Sequence, residues 1–401
     1  MYCMRENPHT KRPRLCRIEQ QQDRKKQKLW RIKRKFYRRS ENHAGEANRT
    51  GREEGADAVL TEIYKISSKE VRKVKTIQDV AKELGVSTST VSRAISGKGR
   101  IGKETRERVL KYIEENGYYP NAAAQSLAQS KTNNIAIILP EVDTLVEMPF
   151  FHTCMYAVEE MAQANDYDIL VVITSGKDPR PLERLILNRK VDGMILTRTY
   201  ENDCFVPLLL EKKIPFVTIG QTEKEGVVQI DSDNAGACME LTSVLLSKRI
   251  GRIAYLGGSM EQMVNKCRYK GYLEAYRQFG KEPESGLICM NLVNKVLIGK
   301  AVEELVKKKA DCMLCQDDFI CDEVLHILAS ENIKVPEDMR VASCHYSRIL
   351  DNYPIMITSL KFDIMQLGRT ACKILLDMID GKEVPEKTLL DYEVILKEST
   401  K

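Results

Sequence analysis

The sequence predicts a small all-α module followed by a much larger α/β body of two lobes. Three observations carry this. Residues 75–116 hold three short amphipathic helical patterns. From Ile135 onward, short apolar strands alternate with amphipathic helices, an order that argues for parallel sheets. That alternating stretch runs for about 270 residues, too many for one small sheet.

The helical module reads element by element. Ile77, Val80, Ala81 and Leu84 fall at i, i+3, i+4 and i+7, one face of a helix. Gly85-Val86 breaks it, and Ser87 is a good N-cap for the next helix. There Val91 and Ile95 face inward, while Ser89, Ser92 and Arg93 share the outer face. Gly97 and Gly99 end that helix. A third helix starts near Lys103, buries Val109, Leu110 and Ile113, and stops at Asn116-Gly117.

In the body, strands are expected at Ile135–Leu139, Ile169–Val172, Met194–Leu196, Phe216–Ile219, Ile253–Leu256, Met313–Cys315 and Val341–Ala342. Helices are expected between them, as at Met155–Ala164, Cys267–Phe279 and Cys321–Ser330. A last strand-like stretch, Tyr392–Leu396, lies close to the end.

The net charge of +6 over 401 residues is unevenly placed. Residues 1–40 hold 15 Lys and Arg against 3 Asp and Glu, and residues 71–131 hold 12 against 6, whereas the bulk is acidic. Positive charge concentrated in one short module suggests a polyanionic partner for it. Residues 1–70 are poor in apolar residues, with a single Trp (Trp30), and read as disordered or transiently helical. Such a stretch is either a basic arm adding nonspecific DNA affinity or a segment outside the native product, with translation starting nearer Val71 or Val74.

No apolar run approaches the ~20 residues of a membrane span, and the start is charged where a secretory signal would be apolar. A cytoplasmic protein with no membrane partner is expected. The twelve cysteines are scattered. Cys312 and Cys315 form a CxxC with Cys321 following, but no second ligand pair lies nearby. Buried small apolar residues are the better reading there. No metal or other cofactor is expected, because P-loop, nucleophile-elbow and zinc spacings are missing and the five histidines are dispersed. Asp317-Asp318 opens a helix and reads as a cap rather than an acid/base dyad. No enzymatic activity is expected.

Helix, glycine turn and helix over 77–95 have the helix-turn-helix spacing, in which the second helix enters the major groove. Many three-helix bundles carry such a spacing without binding DNA. The longer sequence TIQDVAKELGVSTSTVSRAISGKGRIGKETRERVLKYIEENGYYPNAAAQSLA, residues 76–128, is more specific. It resembles the headpiece of the lactose/galactose-repressor (LacI/GalR) family through its D-V-A, G-V-S, T-V-S-R, T-R-x-R-V, G-Y-x-P-N and A-x-x-L elements, in order.

The resemblance implies a transcriptional repressor and assigns roles. Thr88, Ser89 and Arg93 would read bases. Thr76, Ser87, Thr90, Ser92, Thr105, Tyr118 and Asn121 would hold phosphates and fix register. Asn121–Ala128 would form a hinge helix on operator DNA, with a linker reaching residue 133. Ala124 and Leu127 would share one face of that helix, Leu127 wedging between base pairs in the minor groove. Gly102 stands where the family usually has Ser, and the residues at 88 and 89 are small, so the operator sequence does not follow from a relative's. One headpiece makes few base contacts, so a homodimer on a near-palindromic double-stranded operator is expected.

Residues 134–401 also resemble that family's ligand-controlled core, which is periplasmic-binding-protein-like. The matching pieces are Pro149-Phe150-Phe151, Val191-Asp192-Gly193, Asp233-Asn234, the run from Arg268 to Tyr272, Asp317-Asp318, the run from Val335 to Asp338, and Pro354 to Gly368. The resemblance implies two doubly wound parallel α/β lobes, crossed three times by the chain. Lobe 1 would hold about 134–235 and 362–390, and lobe 2 about 236–361 and 391–401. A small effector, a sugar or sugar derivative, would bind between the lobes. Arg268 and Asp318 would pair with vicinal hydroxyls, since each hydroxyl both donates and accepts. Phe150 or Phe151 would stack on a sugar face, and Asp233 is a further candidate. The alternatives are an Arg268–Asp318 salt bridge and phenylalanines that belong to the core.

Departures from the family pattern at Arg249-Ile250, Cys321 and Glu323 leave room for an atypical ligand or a protein corepressor. A solute-binding receptor is the other reading of such a body. With no leucine heptad after Leu396, a dimer rather than a tetramer is expected.

Overall fold

The structure is a computed structural model and describes residues 75–97, 99–116, 118, 131–141 and 148–401. The extension expected over 1–70 and the hinge helix expected over 121–128 lie outside the described residues. The chain divides after Pro120 into two compact units.

The first unit is a three-helix module of α1 (Ile77–Leu84), α2 (Thr88–Ser96) and α3 (Lys103–Asn116). Local signals set its ends. Thr76 and Asp79 form a capping box at the start of α1: the Asp79 N–H donates to Thr76 Oγ1 at 3.3 Å and the Thr76 N–H to Asp79 Oδ2 at 2.8 Å. Gly85 ends α1 at φ +64°, a left-handed position that suits glycine. Ser87 then caps α2, its Oγ accepting from the Thr90 N–H at 3.1 Å. Val80, Ala81, Val91, Ala94, Val109 and Tyr118 fill the small core. Leu110, expected to be buried, is 41% exposed, because the inward stripe of α3 runs through Val109, Tyr112 and Ile113 instead.

The second unit holds two six-stranded sheets. The first is ordered β11-β5-β4-β3-β1-β2 and is parallel throughout. Its strands are β1 (Asn134–Pro140), β2 (Asp168–Thr174), β3 (Gly193–Leu196), β4 (Phe216–Ile219), β5 (Gln229–Ser232) and β11 (Lys387–Leu390). Helices α4 (Pro149–Gln163), α5 (Arg180–Leu187), α6 (Phe205–Lys212) and α11 (Ile364–Ile379) cover it. The second sheet is ordered β12-β10-β9-β8-β6-β7. It uses β6 (Ile253–Leu256), β7 (Ile288–Cys289), β8 (Cys312–Cys315), β9 (Arg340–Ser343), β10 (Thr358–Phe362) and β12 (Tyr392–Ile395). Helices α7 (Asn234–Ser247), α8 (Met263–Gln278), α9 (Lys295–Lys307) and α10 (Asp318–Ser330) accompany it. One edge departs from the parallel pattern: β12 runs antiparallel to β10.

The chain passes between the two sheets three times, at Ser232–Asn234, Phe362–Ile364 and Leu390–Tyr392. Central strands such as β3, β6 and β8 are wholly buried, as continuous apolar runs in parallel sheets require. Cys312 and Cys315 lie in β8 with no exposure, and burial pushes the Cys312 thiol up to about 12. Helix α4 begins at Pro149, earlier than the expected Met155, because proline at the first position presets the helical φ. In each lobe a glycine permits a close helix crossing. A Cβ on Gly271 of α8 would lie 2.2 Å from the Ala235 carbonyl oxygen of α7. One on Gly368 of α11 would lie 2.7 Å from the Ala157 Cβ of α4.

Candidate nucleic-acid interface and ligand cleft

In the helical unit, α2 presents Thr88, Ser89, Ser92 and Arg93 to solvent, with Ser87 exposed at its cap. Ser87 Oγ sits 2.8 Å from both Ser89 Oγ and Thr90 Oγ1, so three hydroxyls cluster at the N-terminus of α2. A helix N-terminus with hydroxyls favours an anionic oxygen, as in a phosphate backbone. Thr76 is exposed at the cap of α1, and Thr105 is half-buried in the first turn of α3. Tyr118 is placed differently from a surface contact: it is buried in the module's core, and burial raises its phenol pKa. Asn121, Ala124 and Leu127 lie outside the described residues.

Gly99, read from the sequence only as a helix terminator, also lies beside a base-reading candidate. It has φ +89°, and a Cβ there would stand 3.3 Å from Arg93 Cδ. The aliphatic stem of Arg93 therefore lies against it. Lys82, Arg100, Lys103, Arg106, Arg108 and Lys111 are also exposed on this unit.

In the α/β unit, a cleft lies at the carboxyl ends of strands from both sheets, where open α/β sheets bind ligands. From the first sheet come Thr197, Arg198 and Thr199 after β3, Gly220 after β4, and Asp231 and Ser232 at the end of β5. From the second come Asp317 and Asp318 after β8, His345 after β9, and Phe362 at the end of β10. Phe150 and Phe151 reach it from the start of α4, and Arg268 from α8.

Four of the five expected effector residues meet here: Phe150, Phe151, Arg268 and Asp318. Asp233 does not line the cleft. It caps α7, accepting from the Gly236 N–H at 2.9 Å. Arg268 and Asp318 hold other partners rather than each other. The Arg268 Nε donates to Asn234 Oδ1 and its Nη1 to the Gln316 carbonyl, each at 2.9 Å. Asn234 Nδ2 donates in turn to Asp231 Oδ1 at 3.0 Å. A hydrogen-bonded chain thus runs from Asp231 on the first sheet to Gln316 on the second. Asp318 Oδ1 lies 3.1 Å from His345 Nδ1. Burial would push the Asp318 carboxyl up, but the His345 imidazole outweighs it and holds it below the usual range. An ionised Asp318 makes Nδ1 the protonated nitrogen and leaves Nε2 for something else.

Aromatic rings frame these groups. Phe362 stacks on His345 with centroids 6.0 Å apart, and Phe150 meets it edge-on at 6.2 Å. The Arg268 guanidinium lies over Phe362 at 5.8 Å. Phe151 belongs to the first lobe's core, 3% exposed, yet carries the Arg198 guanidinium over its ring at 4.8 Å. Two buried polar atoms of the cleft, Asp231 Oδ2 and His345 Nε2, have no hydrogen-bond partner among the described residues. Burial pushes Asp231 up to about 7. A cleft with flat apolar faces and unmet polar atoms suits a ligand with one apolar face and several hydroxyls. Asp231, Arg198 and His345 were missed from sequence because each sits at or just after a strand end whose neighbours come from distant segments, and Asn234, quoted only within the Asp233-Asn234 match, was given no role there. Polar residues directly after buried apolar strands were the available signal.

Among the described residues no helix is long and apolar enough to cross a membrane, and no group of His, Cys, Asp and Glu could hold a metal ion.

Residues 76–121 match the family described as bacterial regulatory proteins, lacI family, and residues 242–400 match the periplasmic binding protein-like domain. The chain is 30% identical over 336 residues to the HTH-type transcriptional regulator MalR of Streptococcus pneumoniae, covering 80% of this chain and 99% of that one. It is 27% identical over 338 residues to the HTH-type transcriptional regulator CelR of Thermobifida fusca, covering 82% and 99%. Among solved structures it is similar to a complex of the transcriptional regulator CelR with cellobiose, at TM-score 0.62 and 26% identity over 81% of this chain and 99% of that one. It shares the fold of the lac repressor dimer bound to operator, at TM-score 0.70 and 19% identity over 82% and 99%.

Proposed function

The chain belongs to the lacI family of bacterial transcriptional regulators, and from that premise we propose that it is a repressor that binds a near-palindromic operator as a homodimer and is controlled by a sugar in the cleft. It is a DNA-binding regulator of transcription and not an enzyme, as its relatives are.

The observation that carries the ligand reading is the cleft's pair of buried, unpartnered polar atoms, Asp231 Oδ2 and His345 Nε2, beside the aromatic faces of Phe150 and Phe362. A sugar hydroxyl can donate to either atom, and its C–H face can lie on a ring. Arg268, with two donors committed to Asn234 and Gln316, has guanidinium N–H groups left for the ligand. The relative solved with cellobiose supports the same class of ligand. Exposed apolar side chains support self-association: Val171 and Ile173 on edge strand β2 are 47% and 55% exposed, and Tyr156 on α4 is 65% exposed.

On the DNA side, Thr88, Ser89 and Arg93 read bases while Ser87, Thr90 and Ser92 hold phosphates. Leu127 acts as the minor-groove wedge, so Leu127→Ala lowers operator affinity far more than nonspecific affinity and reduces bending.

The test is a gel shift with DNA from upstream of the protein's own coding region, with and without cellobiose or maltose. A specific shift altered by one of these sugars is expected. No specific shift with any genomic fragment sinks the repressor reading. A shift indifferent to a wide sugar panel sinks the ligand reading alone.

A further inference from the structure

The cleft is bounded on one side by two of the three chain crossings, through Ser232, Asn234, Phe362 and Ile364. On another side two loops meet that are not joined by any crossing. Thr199–Glu201 follow β3 of the first lobe, and Glu261–Met263 lead into α8 of the second. They pair as a short antiparallel bridge between Tyr200 and Gln262. The Glu201 N–H donates to the Glu261 carbonyl at 2.9 Å, and the Met263 N–H donates to the Thr199 carbonyl at 3.1 Å.

Side chains reinforce this bridge. Lys266 of the second lobe pairs with Glu201 of the first, and Lys177 of the first pairs with Glu261 of the second at 3.1 Å. The ring of Tyr200 lies flat against Gly176, where a Cβ would come within 2.6 Å of it. Each half is also tied to its own lobe. Asp203 caps α6 through the Phe205 and Val206 N–H groups, at 2.7 and 3.1 Å. On the other side Asn265 Nδ2 holds the Ser259 carbonyl at 2.7 Å, and the Met260 N–H reaches Asn291 Oδ1 at 3.2 Å. Two anchored segments that pair across the lobes make a clasp rather than a chance loop contact. Thr199 and Gln262 are members of the clasp and also line the cleft.

We propose that residues 199–201 and 261–263 form a latch across the lobes, and that its opening sets access to the cleft. The inference rests on the cleft's being the ligand site, but the latch can be tested without any ligand. Backbone bonds give it a fixed register, and the solvent-accessible ion pairs, with Lys266 half-buried, make its strength depend on salt and on charge at positions 201 and 266.

Hydrogen exchange on the full chain reads the latch directly. The Glu201 and Met263 amides should be protected in the unaltered protein. Lys266→Glu should speed their exchange roughly two- to tenfold, the range for a solvent-accessible pair turned repulsive. The double variant Glu201→Lys with Lys266→Glu should restore protection, and Gly176→Ala, which displaces Tyr200, should again remove it. Access is read by carbethoxylation of His345 with diethyl pyrocarbonate, followed by mass spectrometry, with exposed His326 as the internal reference. His345 labelling should rise in Lys266→Glu and Gly176→Ala and fall back in the double variant, while amides of the buried strands β1 and β3 stay unchanged. Unprotected Glu201 and Met263 amides in the unaltered protein would overturn the latch. Equal His345 labelling in all four proteins would overturn its control of access. Sugar-independent operator binding would overturn the ligand reading while leaving both of these results standing.

Discussion

Asp231 is a carboxyl at the end of β5 that burial holds near neutrality, with its pKa pushed up to about 7. Its sign follows from linkage. The folded chain keeps the proton to a higher pH than the unfolded chain, so this group's stabilisation is present below pH ~4 and is lost as pH rises through ~7. Asp231→Asn removes that loss and keeps an oxygen to accept from Asn234 Nδ2. Relative to the unaltered protein, the variant should gain on the order of 1–3 kcal/mol in going from pH 5 to pH 8, measured by urea unfolding at the two values. An unchanged difference between the proteins at the two pH values would mean that Asp231 is ionised in the folded chain. Arg268 and Asp318 were legible in the sequence because they sit in runs shared with known relatives. Asp231 and His345 were not, because their meaning comes from the Asn234–Arg268 chain and from Asp318, which folding brings to them. Asp233 shows the opposite case: it was legible as a ligand candidate, yet the structure uses its carboxylate to cap α7.

At the scale of elements, helix ends were the most readable features. Thr76 with Asp79, Gly85 and Ser87 each carry a local cue that needs no tertiary context. Less readable were short strands such as β7, two residues long, and β11, which pairs with β5 from far along the chain. The close crossings were also hidden, because a glycine inside a helical pattern does not say what lies opposite. They now make a prediction. Gly271→Ala forces a methyl into the Ala235 carbonyl of α7, backbone that cannot rotate away. It should cost about 1–3 kcal/mol or more, whereas Gly299→Ala, whose Cβ would make only a 4.0 Å contact, should be neutral or stabilising. Thermal unfolding of the two variants separates them, and equal midpoints would refute the tight crossing.

In the DNA-facing unit, α2 carries the corresponding prediction. Arg93→Ala should weaken operator binding by about 1–3 kcal/mol with helix content unchanged. Gly99→Ala should approach the same loss, since it disturbs both a positive φ and the stem of Arg93. Normal operator affinity in Gly99→Ala would show that Arg93 does not depend on its neighbour.

For the molecule as a whole, the proposed function couples two sites on two compact units, and coupling of that kind is reciprocal. If a sugar lowers operator affinity by some factor, operator DNA must lower sugar affinity by the same factor. Titration of the sugar into free protein and into operator-bound protein measures one side of the cycle. Operator titration with and without saturating sugar measures the other. Typical couplings of 1–3 kcal/mol correspond to about 5- to 150-fold, well within reach of both measurements. Arg268→Ala is the variant that tests the route. It removes the donor shared by Asn234 and the Gln316 carbonyl, so it breaks the hydrogen-bonded chain that joins the two lobes behind the cleft. Two buried acceptors would be left unmet, at about 1–3 kcal/mol each, so some loss of stability is expected as well. The distinguishing result is that both coupling factors fall to one while operator affinity without sugar stays near normal. If the sugar still weakens operator binding in this variant, the coupling does not pass through Arg268. Because the cycle must close whatever the number of protein states, a disagreement between the two factors in the unaltered protein would mean that the two titrations count different numbers of bound sugars per operator.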